Sequence, residues 1–183
     1  RDINKKRLVD ADKSILTDNP DDILDDPDIS IVAEFMGGEN PALNYLLRAL
    51  NSGKSVVTAN KEVIARHWEK LDEAASANGV GLYYEASVCG GIPVIKAIQE
   101  SLQANRIERI MGIINGTTNY ILTKMSENGS DFSEALKRAQ ELGYAEPDPT
   151  ADIEGFDAAF KIAILSTLCF HKRVRLDNIL RDG

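Results

Sequence analysis

The sequence predicts an α/β fold in two parts: a partial doubly wound parallel sheet, followed by an α+β domain. Three observations carry this. Residues 30–86 alternate short apolar runs with helical patterns in the order strand–helix–strand–helix–strand, the signature of parallel strands joined by helical crossovers. Glycine and asparagine stops at Gly37-Gly38, Asn51-Ser52-Gly53 and Asn78-Gly79 punctuate that order. Past Ala86 the alternation ends and helical patterns dominate, closing on an almost wholly apolar one over 155–170. The change predicts two domains, 1–86 and 87–183.

The elements follow in turn. Ile31-Val32-Ala33-Glu34-Phe35-Met36 reads as a strand ending in a glycine turn. Pro41 opens a helix with Leu43, Leu46, Leu47 and Leu50 on one face. Val56-Val57-Thr58-Ala59 is the second strand, with Asn60-Lys61 at its carboxyl end. Ile64, Trp68, Leu71 and Ala75 recur at helical spacing, and Gly81 to Ala86 forms the third strand. In the second part, Val94, Ile98 and Leu102 mark a helix, and residues 106–114 read as a strand. A helix begins at Asn115-Gly116-Thr117-Thr118, and Asp131 with Glu134 has capping-box spacing for the next. Residues 174–180 read as the start of a further strand.

Composition narrows the function. The net charge is −8, with acidic clusters over 18–28 and 141–154, and no basic stripe that could track phosphates, so nucleic-acid binding is not expected. Cys89 and Cys169 are far apart, which predicts a reducing compartment and no disulfide framework. No apolar run is long enough to span a bilayer and no signal-peptide core is present, so a soluble cytoplasmic protein is expected. The chain opens without an initiator Met, on Arg1-Asp2-Ile3-Asn4, which predicts a segment of a longer protein.

The densest chemistry lies over 142–161. Pro147 and Pro149 stiffen a loop that holds Glu146, Asp148, Asp152 and Glu154 before the apolar helix. That helix carries only two charged residues, Asp157 and Lys161, spaced to share one face. Charge on a buried helix has to be paired or to face a cavity. Two readings stand on physics alone: an active site, or an ion pair worth ~0.2–0.5 kcal/mol at an acidic helix start. Ligands of doubly wound sheets bind outside the carboxyl ends of the strands, which makes Thr58, Asn60 and Lys61 candidates. Asn60 is also a natural helix N-cap, whereas a lysine in a first turn opposes the helix dipole and needs another reason. Gly37 permits close backbone approach to a ligand or marks a plain turn. Glu85 beside the Val88–Ile92 glycine turn offers oxygens for a hard cation or is a satisfied strand-end carboxylate. Gly116 and Thr117 open a helix whose N–H groups suit an anion, or simply form a capped start. Neither His67 nor His171 has a neighbour at metal-ligand spacing.

Together these strings resemble homoserine dehydrogenase. They are Met36-Gly37-Gly38, Thr58-Ala59-Asn60-Lys61, Glu85-Ala86-Ser87-Val88 through Gly91-Ile92-Pro93, Asn115-Gly116-Thr117-Thr118-Asn119-Tyr120, and Gly143-Tyr144-Ala145-Glu146-Pro147-Asp148-Pro149 through Lys161. The resemblance implies a Rossmann-like nucleotide-binding domain and a catalytic domain that also makes a homodimer. It implies NAD(P)H-dependent, reversible reduction of aspartate 4-semialdehyde to homoserine, a step in threonine, methionine and isoleucine biosynthesis.

By that resemblance Lys161, Asp157 and Lys61 are catalytic, and Glu146 and Asp152 hold the substrate with Gly116 and Thr117. Gly37, Thr58, Lys61 and Arg1 face the cofactor, NADP or NAD. Glu85 with the carbonyls of Val88, Gly90 and Ile92 matches a sodium site. Arg1, following a strand, hints at the 2′-phosphate of NADP. The family's Gly-rich cofactor turn is expected upstream of Arg1, so the segment alone is expected to be inactive. Two other readings are a non-catalytic dimerising fragment of the same family and a dehydrogenase of another semialdehyde or hydroxy acid.

Overall fold

A computed structural model describes residues 12–182. The chain divides into two compact units, the first comprising residues through Thr58 together with His67–Tyr83, the second Ala59–Arg66 and the chain from Tyr84 onward.

In the first unit, helix α1 (Asp21–Leu24) precedes strand β1 (Ile31–Glu34), helix α2 (Ala42–Asn51) and strand β2 (Ser55–Thr58). Helix α3 (Lys61–Asn78), whose residues through Arg66 belong to the second unit, and strand β3 (Leu82–Tyr83) follow. The strands form one parallel sheet in the order β1-β2-β3. Register is Ile31 to Ser55 through Glu34 to Thr58, then Val56 to Leu82. The parallel α/β sheet expected from the alternation is therefore present. Its third strand is shorter than the sequence suggests, because Glu85–Ser87 turns into a 3-10 segment.

Leu46 and Leu50 of α2 stack one turn apart and are fully buried, as are Val56 of β2 and Leu71 of α3. Fully burying a leucine contributes about 1.5–3 kcal/mol. Lys54 is buried as well. Its ammonium donates to the carbonyls of Asp26 and Ile29 and closes the loop before β1. Helix α3 is interrupted at His67, whose φ of −125° and ψ of 21° are not helical. The His67 ring meets Glu39 Oε1 at 2.8 Å and is a partnered group rather than the surface side chain its charged neighbours imply.

The second unit is helical. Helix α4 (Val94–Lys96) runs into a π turn, Ala97–Ser101. Helices α5 (Gly116–Asn128), α6 (Phe132–Glu141), α7 (Thr150–Ile153) and α8 (Phe156–Phe170) follow. Ile121 of α5 packs with Ala135 and Ala139 of α6 and with Ala145. Asp131 caps α6 by accepting the Glu134 N–H at 2.9 Å. Asp131→Ala is expected to cost about 1 kcal/mol, read as a lower thermal midpoint with activity unchanged.

Two expected strands are not formed. Residues 106–114 hold no regular element, and 174–180 hold only a 3-10 turn at Leu176–Asn178. A strand needs a neighbour for its N–H and C=O groups, and among the described residues β1, β2 and β3 form the only sheet. Met111 and Ile113 of the extended segment are 80% and 77% exposed.

Candidate active site

The site is built on the first turn of α8. Gly155, at φ 71°, reverses the chain after α7 and places Phe156 at the helix start. A left-handed residue is easiest for glycine, which has no Cβ to clash. Asp157 is thereby fixed in the first turn, where the helix dipole favours a carboxylate. It is 3% exposed.

Three donors converge on this carboxylate. Lys161 Nζ lies 2.7 Å from Oδ2, one helical turn along, as the sequence spacing requires. Asn115 Nδ2 donates to the same oxygen at 2.8 Å. Lys61, from the first turn of α3, forms an ion pair with Oδ1. Burial opposes ionisation of Asp157, but the hydrogen bonds from Lys161, Lys61 and Asn115, with the Lys61 charge, prevail and hold its carboxyl below the usual carboxylate value. The Asp157 pairing supplies the reason for a lysine set against the α3 dipole. Asn60 beside it caps α3, its Oδ1 accepting the Val63 N–H at 3.1 Å.

One further carboxylate of the acidic segment reaches this centre, through Asn115. Asn115 Nδ2 also reaches Asp152 Oδ1 at 2.7 Å, so Asp152 of α7 joins the cluster. Lys161 Nζ donates to the Ile114 carbonyl at 2.6 Å. Thr117 is buried and its hydroxyl is spent on the Tyr144 carbonyl at 2.7 Å. Gly116, exposed, opens α5, and first-turn N–H groups have no partner within their own helix. Glu146 is exposed, and among the described residues only its backbone carbonyl is tied, by Gln140 Nε2 at 3.2 Å. No hydrogen bond joins its carboxylate to Asp157, Lys61 or Lys161.

The remaining candidates lie elsewhere. Gly37 turns at φ 72° after β1. A cavity of about 440 Å³ there is lined by Thr17, Asn19, Glu34, Met36, Gly37 and Tyr45, among others. Thr58, at the end of β2, donates its hydroxyl to Glu34 Oε2 at 2.5 Å, and Glu34 Oε1 accepts the Met36 N–H at 2.5 Å. Buried Glu34 thus ties the carboxyl ends of β1 and β2 together. A strand-end glutamate carries no mark of such a partner in the sequence. Arg1 lies outside the described residues.

Glu85 accepts the N–H groups of Ile95 at 2.8 Å and Lys96 at 2.9 Å, and the Ile92 carbonyl accepts Val94 N–H at 2.8 Å. Val88 is buried, while Gly90, at φ 59°, and Ile92 are exposed. This loop is rich in oxygen acceptors of the kind a hard cation takes. Among the described residues, no three His, Cys, Asp or Glu side chains group to hold a metal ion, and no helix is long and apolar enough to cross a membrane.

A parallel sheet with a cavity by the carboxyl end of β1 and, in the other unit, a lysine-flanked buried carboxylate place the chain in the class of α/β proteins that take a ligand at their strand ends. Residues 1–85 match the family model "Homoserine dehydrogenase, NAD binding domain" and residues 93–183 the model "Homoserine dehydrogenase". The chain belongs to the homoserine dehydrogenase family. It is 49% identical to the Bacillus subtilis homoserine dehydrogenase and 50% to that of Synechocystis, covering 100% of this chain and 42% of each relative. It therefore spans about two-fifths of the length of these curated relatives. The crystal structure of the Thiobacillus denitrificans homoserine dehydrogenase aligns with a TM-score of 0.86 at 52% identity, over 88% of this chain and 37% of that one. A hyperthermophilic archaeal homoserine dehydrogenase in complex with NADPH aligns at 0.79 and 34% identity, over 85% and 48%.

Proposed function

We propose that this chain is the substrate-handling segment of an enzyme that interconverts aspartate 4-semialdehyde and homoserine with NAD(P), in threonine, methionine and isoleucine biosynthesis. The observation that carries the reading is the buried Asp157 carboxylate held between Lys61 and Lys161. The bound nicotinamide supplies the hydride in reduction and accepts it in oxidation. As the aldehyde carbon gains the hydride, its oxygen gains negative charge that needs stabilisation and a proton. Lys161 is positioned to give that proton, directly or through water, and Lys61 adds positive charge. Asp157 fixes the direction of both ammonium groups.

Glu146, exposed in its proline-flanked loop, accepts the substrate ammonium, and Asp152 with the α5 start at Gly116 and Thr117 completes the pocket. Gly37, Thr58, Lys61 and Arg1 are the cofactor-binding residues. Glu85 and the Val88, Gly90 and Ile92 carbonyls form a sodium site, which suits their hard oxygen donors. The enzyme acts as a cytoplasmic homodimer, its cofactor is NADP or NAD, and the domain boundary falls near residue 86. The archaeal relative in complex with NADPH supports a nicotinamide dinucleotide as the cofactor.

The test is a steady-state assay of the full-length enzyme with homoserine and either NADP or NAD, followed by nicotinamide absorbance. Absence of homoserine-dependent reduction with both cofactors overturns the reading. Glu146→Ala is expected to raise KM for homoserine by at least tenfold with kcat little changed, since loss of one charged hydrogen-bond partner is worth about 1.5–3 kcal/mol.

A further inference from the structure

Asn115 immediately precedes α5, and its carboxamide is used to capacity. The two N–H bonds go to two different carboxylates, Asp152 Oδ1 at 2.7 Å and Asp157 Oδ2 at 2.8 Å. The oxygen takes both donors of one residue, Thr118 N–H at 2.7 Å and Thr118 Oγ1 at 2.8 Å. A carboxamide has two donors and two acceptor lone pairs, so nothing is left over. A flipped amide would turn its oxygen toward both carboxylates, and the network therefore admits one orientation.

Capping does not explain the choice of residue. Serine, threonine, aspartate and asparagine all cap a helix start through a side-chain oxygen. Of these, only asparagine also carries an NH₂ group at the far end. That NH₂ donates to one oxygen of each of two carboxylates and so joins two like charges through a single donor group. Two carboxylates sharing a site raise the pKa of one of them. The charged groups around Asp157 are Lys61 from α3, Lys161 on its own helix and Asp152 from α7, the last reached through Asn115.

We propose that Asn115 is a positioning residue of the active site: by bridging Asp152 and Asp157 it keeps Asp157 ionised and aimed at Lys161. It also ties α7, which carries a substrate-pocket carboxylate, to the helix that carries the proton donor. The proposal rests on the reading that Asp157 and Lys161 act at the reacting oxygen.

The test is the pH dependence of kcat/KM for homoserine in the full-length enzyme. Asn115→Asp keeps the cap and the shape but exchanges the NH₂ group for oxygen. It is expected to move the acid limb up by about one pH unit or more and to lower kcat at neutral pH, with KM less affected. Asn115→Ser also keeps a capping oxygen and adds no charge. It withdraws the two donors, and its acid limb is expected to move the same way by less. A role confined to capping predicts wild-type profiles in both variants, and that result overturns the proposal. Asp157→Asn separates the two levels. If it lowers kcat while both Asn115 variants keep the wild-type profile, Asn115 alone is refuted. If Asp157→Asn keeps the wild-type kcat, the underlying reading falls and the proposal falls with it.

Discussion

Lys161→Ala in the full-length enzyme is expected to lower kcat by about 10²–10⁴-fold, the usual contribution of a positioned general acid or base, with KM for homoserine little changed. The geometry motivates the size of the effect. An ammonium has three N–H donors, and two of those on Lys161 are placed, on Asp157 Oδ2 and the Ile114 carbonyl. Among the described residues the third has no acceptor and faces a substrate oxygen or a water. The side chain is 19% exposed, so it is held yet accessible. Lys161→Arg keeps the charge but not the chemistry, because a guanidinium does not release its proton in proteins. It is expected to recover little of the lost rate. If Lys161→Arg restores wild-type kcat, positive charge suffices and proton transfer by Lys161 is excluded. If Lys161→Ala itself retains wild-type kcat, the residue has no part in the chemistry.

Asp157→Ala is expected to lower kcat by a similar factor, on the order of 10²-fold or more, and to destabilise the second unit as well. Removing the carboxylate leaves Lys61, Lys161 and the Asn115 amide without their shared acceptor. A lost charged hydrogen bond costs about 1.5–3 kcal/mol, and the partly exposed Lys61 pulls the total toward the lower end. The pH dependence has a definite sign. Despite burial, hydrogen bonds from Lys161, Lys61 and Asn115 hold the folded-state carboxyl below its ordinary value. Its contribution is thus fully present above the unfolded-state carboxylate pKa of about 3.9, and is lost as pH falls through the lower folded value. Urea denaturation of wild type and Asp157→Asn at neutral pH and at about pH 3 measures this, since the stability gap between them narrows on acidification. A gap of constant size would show that the folded-state carboxyl is not depressed.

Local pattern made much of this molecule legible. The strand–helix alternation over 30–86 became a parallel three-stranded sheet because periodicity reports directly which face of an element is buried. The Asp131 cap and the Asn60 cap followed from residue type and position. The Asp157–Lys161 contact followed from helical spacing alone. Long-range partners were less legible. That Lys61 would meet Asp157, or that Asn115 would span Asp152 and Asp157, required pairing across 37 or more residues. Strand patterns over 106–114 and 174–180 likewise state only a preference, and without a neighbouring strand among the described residues no ladder formed.

The sequence by itself determined the strand–helix alternation over 30–86, the caps at Asn60 and Asp131 and the family resemblance, because these depend on spacing and residue type within short windows. It also placed Asp157 and Lys161 on one face. The tertiary structure alone decided which groups share the Asp157 carboxylate, that Thr58 is tied to Glu34, and that Lys54 is a buried tie rather than a solvated charge. The physical reason is desolvation. A buried polar group must find partners wherever packing places them, and packing brings together residues that no local pattern connects.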